Sequence, residues 1–122
     1  MSSVKFCGIW CDFWAVTPNQ IAQLFKHVYK RELSDEEILQ IGERVWNLGR
    51  LFNLREGVEK DDLPKALYAT SGAFKDGPSA GKAVGEEVFA ERMRQYYEMR
   101  GWDENGVPSE ARLAELGIDV RL

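Results

Sequence analysis

Residues 34–57 read SDEEILQIGERVWNLGRLFNLREG, the longest helical pattern in the chain. Ser34 and Glu37 have the spacing of a capping box, in which the Ser34 hydroxyl accepts from the Glu37 backbone N–H and the Glu37 carboxylate reaches back. Gly57 supplies a residue that readily adopts positive φ just past the last turn. We therefore predict a helix over Asp35–Arg55, roughly 30 Å long at about 1.5 Å per residue.

Apolar residues recur along this helix at three- and four-residue steps, which indicates that one face is buried. The predicted apolar stripe contains Ile38, Ile41, Gly42, Val45, Leu48, Gly49 and Phe52, widened by Trp46. The opposite, polar face is expected to hold Glu43, Arg44, Asn47 and Arg50. On this pattern Trp46→Ala should cost about 3–5 kcal/mol and Arg50→Ala under about 0.5 kcal/mol. Because Gly42 and Gly49 lack side chains, we expect a second helix to cross at both.

The composition limits what surrounds this helix. The chain has 122 residues, 44% hydrophobic and 30% charged, enough for one domain with a core. A net charge of −4 argues against nucleic-acid binding, which usually requires a basic surface. No apolar run is long enough to span a membrane, so we expect no membrane association. Two cysteines in an otherwise cysteine-free chain fit a reducing compartment, so we expect a cytoplasmic protein.

A second helix start precedes the long helix. Thr17-Pro18-Asn19-Gln20 places Thr at the N-cap, Pro at the first helical position and Gln at the capping-box position. This helix is expected to end near Arg31, with an apolar stripe of Ile21, Leu24, Phe25, Val28 and Tyr29. The short linker before Ser34 then makes the first two helices a helical hairpin.

The pattern after Gly57 is weaker but still helical. We predict about two helical turns within residues 58–70 that start at Asp61-Asp62, a loop over 71–85, a helix from Glu86 to Gly101, a turn at 102–108 and a short helix from Ser109 through Leu116. The sequence therefore predicts an all-α fold of about four to five helices, with residues 1–122 as a single domain.

Residues 1–16 form an apolar lead segment that carries both cysteines. Its four aromatic residues, Phe6, Trp10, Phe13 and Trp14, either pack on the helices or belong against something outside this chain. Cys7, Cys11 and the single histidine, His27, offer at most three soft ligands, so no self-contained zinc site is expected. Composition and spacing alone indicate a helical interaction domain with no catalytic residues.

An ordered series of motifs resembles the C-terminal region of the aldehyde ferredoxin oxidoreductase family. In chain order they are Cys11-Asp12-Phe13, Thr17-Pro18-x-Gln20-Ile21-Ala22, Ile41-Gly42-Glu43-Arg44-Val45-Trp46-Asn47-Leu48, Phe52-Asn53-Leu54-Arg55-Glu56-Gly57, Asp62-Leu63-Pro64 and Tyr96-Tyr97-x-x-Arg100-Gly101-Trp102-Asp103-x-x-Gly106-x-Pro108. Members of that family are tungsten- or molybdenum-pterin enzymes that oxidise aldehydes to carboxylates. They pass electrons through a four-iron, four-sulfur (4Fe-4S) cluster to ferredoxin. The resemblance implies an all-helical terminal domain that packs against the pterin sites.

The resemblance also implies a role for one cysteine. In the family, three cluster cysteines lie in the preceding domain, and the fourth lies at the start of this region, in the pattern Asp-x-x-Gly-Leu-Cys with an aromatic two residues later. Cys11 matches that cysteine and Phe13 the aromatic, while Phe6 and Ile9 stand at the aspartate and glycine positions. For Cys7, the alternative cofactor-binding residue, the equivalent positions are Ser2 and Lys5. A third interpretation treats both cysteines as small apolar fillers.

These expectations concern a longer parent protein more than this chain. A cluster needs four ligands, so the chain alone is expected to bind neither cluster nor pterin and to be inactive. The implied partners are the upstream domains of the parent and ferredoxin, and a severed domain is expected to self-associate through residues 1–16. Deleting those residues should then leave the helical body intact. The alternative is a free-standing helical protein-interaction module without catalysis, for which the same deletion is expected to abolish the cooperative unfolding transition.

Overall fold

The fold is described by a computed structural model that covers residues 2–11, 13–68 and 73–119. These residues contain the helices α1 (Ser2–Cys7), α2 (Pro18–Tyr29), α3 (Asp35–Arg55), α4 (Glu86–Arg100) and α5 (Glu110–Glu115), and a 3₁₀ helix at Lys65–Leu67. The all-α prediction is confirmed, because the same residues hold two isolated β-bridges and no strand. Asp12 of the first motif, and the predicted helix-to-loop boundary at 69–72, lie outside the described residues. No helix in the described part is long and apolar enough to cross a membrane.

Both capping boxes predicted from the sequence are present. The Thr17 hydroxyl accepts from the Gln20 backbone N–H at 3.3 Å, and the Thr17 N–H donates to Gln20 Oε1 at 2.8 Å. The Glu37 N–H donates to Ser34 Oγ at 3.1 Å, and the Ser34 N–H donates to Glu37 Oε2 at 2.7 Å. Since these bonds satisfy N–H groups that the first turn leaves open, they fix where α2 and α3 begin. α2 ends at Tyr29, two residues before the expected position, with Lys30 in the left-handed region at φ 55°.

The described residues divide into two compact units. The first unit runs up to Phe52 and resumes at Glu110, and the second unit is Asn53–Ser109. One core cluster of the first unit joins α1, α2 and α3 through Val4, Ile21, Ala22 and Ile38, with Trp10, Val16, Phe25 and Leu33 packed against it. This cluster confirms the predicted helical hairpin and adds α1 to it. The single-domain organisation over residues 1–122 stays a prediction.

α5 packs on α3 through a second cluster of the first unit. Its buried residues are Leu51, Leu116 and Ile118, with Leu113 packed against them. Polar contacts reinforce the packing: Arg44 Nε donates to the Leu116 carbonyl at 2.8 Å, and Arg112 Nη2 contacts Glu43 Oε2 at 3.1 Å. The buried side of α3 is therefore partly defined by residues about seventy positions further along the chain.

The structure contradicts the predicted polar face of α3 at two of its four residues, whereas Arg44 is exposed as expected. Asn47 is fully buried and Arg50 is 5% exposed, whereas Trp46, which we had placed in the apolar stripe, is 45% exposed. Asn47 lies one turn from Glu43 and donates through Nδ2 to its carbonyl at 2.9 Å. The predicted costs of Trp46→Ala and Arg50→Ala assumed that Trp46 is buried and Arg50 exposed, and the structure contradicts this assumption. Further residues placed in apolar stripes are also exposed, namely Leu48 and Phe52 on α3 and Leu24, Val28 and Tyr29 on α2.

The two glycines of α3 differ in their surroundings. A Cβ on Gly42 would lie 2.8 Å from Val4 Cγ2, so α1 crosses α3 there as expected. A Cβ on Gly49 would meet no atom within 4 Å in the described structure, so the second predicted crossing is wrong.

We predict opposite effects for alanine at these glycines. Gly42→Ala should destabilise the chain, because the new methyl group overlaps Val4 and overpacking costs about 1–3 kcal/mol. Gly49→Ala should stabilise it by up to about 1 kcal/mol, because alanine has the higher helix propensity and meets no obstacle. Urea denaturation followed by circular dichroism measures both shifts. A destabilised Gly49→Ala variant would contradict the open environment of Gly49.

The second unit is held partly by tyrosine–aspartate hydrogen bonds. Buried Tyr97, on α4, donates its hydroxyl to Asp61 Oδ2 at 2.7 Å, and buried Tyr68 donates to Asp62. The predicted helix start at Asp61-Asp62 is wrong, because the described residues 58–68 contain a 3₁₀ turn at Lys65–Leu67 and no α-helix. These carboxylates accept from side chains instead of capping a helix.

The remaining predictions for the second unit agree with the structure. α4 ends at Gly101, whose φ is 70°, and residues 73–85 form turns. The Asp103 carboxylate accepts from the backbone N–H groups of Asn105 and Val107 at 2.9 and 2.8 Å, which closes the predicted 102–108 turn.

The Tyr68–Asp62 bond makes stability depend on pH. The Tyr68 hydroxyl, followed by the Leu63 backbone N–H, lowers the pKa of Asp62. A carboxyl whose pKa is lower when folded stabilises the fold above its unfolded pKa, and this stabilisation is lost as the pH falls through the folded pKa. We expect Tyr68→Phe to raise the pKa of Asp62 and to weaken this acid dependence. NMR titration of the Asp62 carboxyl measures the change, and an unaltered titration would refute the contribution of Tyr68.

Candidate functional site

The candidate site is the segment that carries the two cysteines, beginning with α1. α1 ends in a Schellman motif, in which the Ile9 N–H donates to the Phe6 carbonyl at 3.1 Å and the Trp10 N–H to the Lys5 carbonyl at 2.9 Å. Ile9 occupies the left-handed position of this motif with φ 58°. That conformation is costly for a β-branched residue, by about 1–2 kcal/mol, and is normally filled by glycine.

Trp10 anchors the end of this turn. Its half-buried side chain packs against the core cluster that includes Val4 and Ile38. A Cβ on Gly8 would lie 3.0 Å from Trp10 Cδ2, so the indole ring folds back over the Gly8 backbone. The sequence showed a glycine within an apolar segment but gave no signal that residue 10 would anchor it.

Cys7 and Cys11 flank this turn, and both are free and exposed. Their interpretation as buried apolar fillers is therefore wrong. Cys7 is the last residue of α1, whereas Cys11 follows the turn, and its carbonyl accepts from the Trp14 N–H at 3.2 Å.

The lead segment also exposes large apolar side chains. Among the four aromatic residues, Trp10 packs on the core while Phe6, Phe13 and Trp14 are 65%, 99% and 72% exposed. Ile9 adds to this surface at 93% exposure. We call Phe6, Ile9, Phe13 and Trp14 the exposed apolar set. Large exposed apolar patches are uncommon on monomers and usually mark contacts with other proteins.

The described residues bring no metal site together. They contain no group of three or more His, Cys, Asp or Glu side chains placed to hold an ion. His27 is exposed, with Nδ1 2.7 Å from the Gln23 carbonyl, one turn back on α2.

Two clefts among the described residues, one in each unit, are lined in part by charged groups that pair with each other or with a neighbour. In the first unit, a cleft of about 250 Å³ is lined in part by Lys26 and Glu32, which form an ion pair at 2.7 Å. In the second unit, a cleft of about 350 Å³ is lined in part by Tyr97, Trp102 and Arg94, and Arg94 pairs with Glu91 at 2.9 Å. Both arrangements serve the fold, and neither pairs a nucleophile with a base.

Comparison with known proteins shows which protein family the sequence matches. The sequence model of aldehyde ferredoxin oxidoreductase, domains 2 and 3, matches residues 1–118. A tungsten-containing aldehyde ferredoxin oxidoreductase of Pyrococcus abyssi is 41% identical over 91 residues, which cover 72% of this chain and 14% of that protein. The enzyme of that name from Thermococcus kodakarensis is 40% identical over 90 residues, which cover 71% of this chain and 14% of that protein.

A relative with a different name also matches. The aliphatic sulfonate oxidoreductase, WOR-like subunit, of Pyrococcus furiosus is 37% identical over 86 residues, covering 65% of this chain and 13% of that protein. The matched region thus spans about 14% of the length of the tungsten-containing relatives.

Proposed function

Because this chain belongs to the aldehyde ferredoxin oxidoreductase family, we propose that it forms the C-terminal part of a tungsten- or molybdenum-pterin oxidoreductase. The parent enzyme, as we call the longer polypeptide, oxidises aldehydes to carboxylates and delivers electrons through a 4Fe-4S cluster to ferredoxin. The observation that carries this proposal is the family match over residues 1–118, in a chain that spans only about 14% of its relatives. The residues for aldehyde oxidation lie in the rest of the parent, and this chain alone is inactive.

Within that enzyme, Cys11 is the cluster ligand contributed by this chain. Its thiol is exposed, and the preceding Ile9 has φ 58°, the conformation that suits the glycine of the family pattern. If Cys7 were the ligand, that glycine position would fall on Lys5, a buried residue inside α1. The backbone therefore supports Cys11 over Cys7. An iron–sulfur cluster, when bound, supplies one-electron transfer, and Cys11 would donate one of its thiolates.

The exposed apolar set is the contact surface for the upstream domains of the parent. It surrounds Cys11 in sequence, with Ile9 two residues before and Phe13 two residues after it. Covering this set would bury large apolar side chains and keep water from the thiolate side of a cluster. Ferredoxin as electron acceptor, a cytoplasmic location and self-association of the chain when separated belong to the same proposal.

The experiment is to produce the parent enzyme anaerobically with tungstate or molybdate and to measure metal content and aldehyde-dependent ferredoxin reduction. We expect iron, one of the two metals and turnover in the parent, and none in the 122-residue chain prepared alone. An aliphatic sulfonate belongs in the substrate panel, because one relative carries that name. A chain produced in its host with no longer polypeptide would contradict this proposal and favour the free-standing interaction module.

A further inference from the structure

We infer that Gly8 and Trp10 are positioning residues that fix the backbone of Cys11 and hold its thiol outward before any metal centre binds. This inference rests on the proposed function for the identity of the ligand. Its structural basis, however, lies in the contacts of this chain alone.

The backbone on both sides of Cys11 is tied by hydrogen bonds. On the preceding side, the Trp10 N–H donates to the Lys5 carbonyl at 2.9 Å. On the following side, the Trp14 N–H donates to the Cys11 carbonyl itself at 3.2 Å. Cys11 thus combines a constrained main chain with an exposed side chain. A metal centre shared between segments requires this combination, because each ligand atom must lie at a fixed distance from the metal and from the other ligand atoms.

The indole of Trp10 connects this turn to the core. Three of its ring atoms, Cδ2, Cε2 and Cε3, would lie 3.0, 3.1 and 3.2 Å from a Cβ on Gly8, so the ring stacks on the Gly8 backbone. The indole also packs against the cluster of Val4, Ile21, Ala22 and Ile38. Ile9, between Gly8 and Trp10, is 93% exposed and gains no such packing. The left-handed turn is therefore held by its two neighbours and the Schellman bonds, and not by the Ile9 side chain.

The first test measures ¹⁵N relaxation on the 122-residue chain. In the wild type, the Cys11 amide should have an order parameter of about 0.85, typical of rigid backbone, and Trp10→Ala should lower it below about 0.6. Trp10→Phe should restore the rigid value, because an aromatic ring can still cover Gly8. Trp14→Ala is the matched control: it removes the same kind of side chain from an exposed position and should leave Cys11 rigid. Gly8→Ala, whose methyl group displaces the ring, should loosen Cys11 even if Trp10→Ala does not fold.

The second test uses the parent enzyme loaded with its cluster. Trp10→Ala should accelerate iron loss to an excess of chelator by about 10- to 100-fold, the range seen when residues that orient metal ligands are removed. Trp10→Phe should return the rate to within about threefold of wild type.

Two results would overturn the inference and are distinguishable. If the Cys11 amide is equally ordered in wild type, Trp10→Ala and Gly8→Ala, the inferred positioning role is wrong, and the proposed function is unaffected. A parent enzyme that keeps its full iron content after Cys11→Ser removes the ligand role in the proposed function, and the positioning role falls with it.

Discussion

Deletion of residues 1–16 is expected to abolish cooperative unfolding of the α2–α3 hairpin. Val4, Trp10 and Val16 from this segment pack on Ile21, Ala22 and Ile38. Burial of an apolar side chain of this size contributes about 1.5–3 kcal/mol. Together the three are comparable with the total stability of a small domain, about 5–15 kcal/mol. Urea denaturation of residues 17–122, followed by circular dichroism, is the measurement.

The control for the deletion is a variant that changes only exposed side chains. Replacing Phe6, Phe13 and Trp14 with serine should shift the free energy of unfolding by no more than about 0.5 kcal/mol for each residue. The same variant should reduce self-association in sedimentation measurements, because the exposed apolar set is disrupted. An unchanged unfolding midpoint after the deletion would show that Val4 and Trp10 do not belong to the core.

The deletion prediction reverses the expectation for a severed domain and agrees with the expectation for a free-standing module. In the sequence, residues 1–16 form one apolar segment, so their removal from a severed domain was expected to cost little stability. The structure divides them: Val4 and Trp10 face the core, while Phe6 and Phe13 face outward. This division depends on the short helix α1 and its left-handed turn at Ile9, and an isoleucine gives no local signal for such a turn.

The starts of α2 and α3 were predictable because their signals are local. Thr17 with Gln20, and Ser34 with Glu37, form reciprocal bonds within three residues, so both starts could be predicted from neighbouring residues. Gly101 ended α4 for a similarly local reason.

The buried face of α3 was not predictable in the same way. The sequence pattern places Arg50 and Asn47 on the polar face of α3, yet both are buried. Leu51 of the same helix packs against Leu116 and Ile118, which lie far along the chain. The 3.6-residue period does not indicate which side of α3 such distant residues will cover. Asp61 was likewise assigned to a helix start. Its hydrogen-bond partner, Tyr97, lies 36 positions away, so no local pattern indicates this bond.

The candidate ligand, Cys11, was inferred from the family resemblance, whereas the contacts that constrain its backbone were found in the structure. Cys11 was chosen over Cys7 from the motif that contains Phe13. The positive φ of Ile9 now gives that choice a conformational argument that spacing could not supply. Gly8 and Trp10 carried no recognisable pattern, because the packing of the Trp10 indole on Ile21, Ala22 and Ile38 is a tertiary contact.

The largest functional effect is expected from Cys11→Ser in the parent enzyme. A serine hydroxyl does not replace a thiolate as a cluster ligand, so iron per polypeptide should fall and electron delivery to ferredoxin should be lost. Cys7→Ser is the matched control, since it changes a second exposed cysteine four residues away. Its iron content should equal that of the wild type.

The account's central claim is that this chain contributes Cys11 to the cluster of a larger oxidoreductase. The most direct measurement is the iron content and the electron paramagnetic resonance spectrum of the reduced parent enzyme, compared among wild type, Cys11→Ser and Cys7→Ser. We predict that the cluster signal is present in wild type and Cys7→Ser and absent in Cys11→Ser. A full cluster signal in Cys11→Ser, or its loss in Cys7→Ser alone, would contradict the claim.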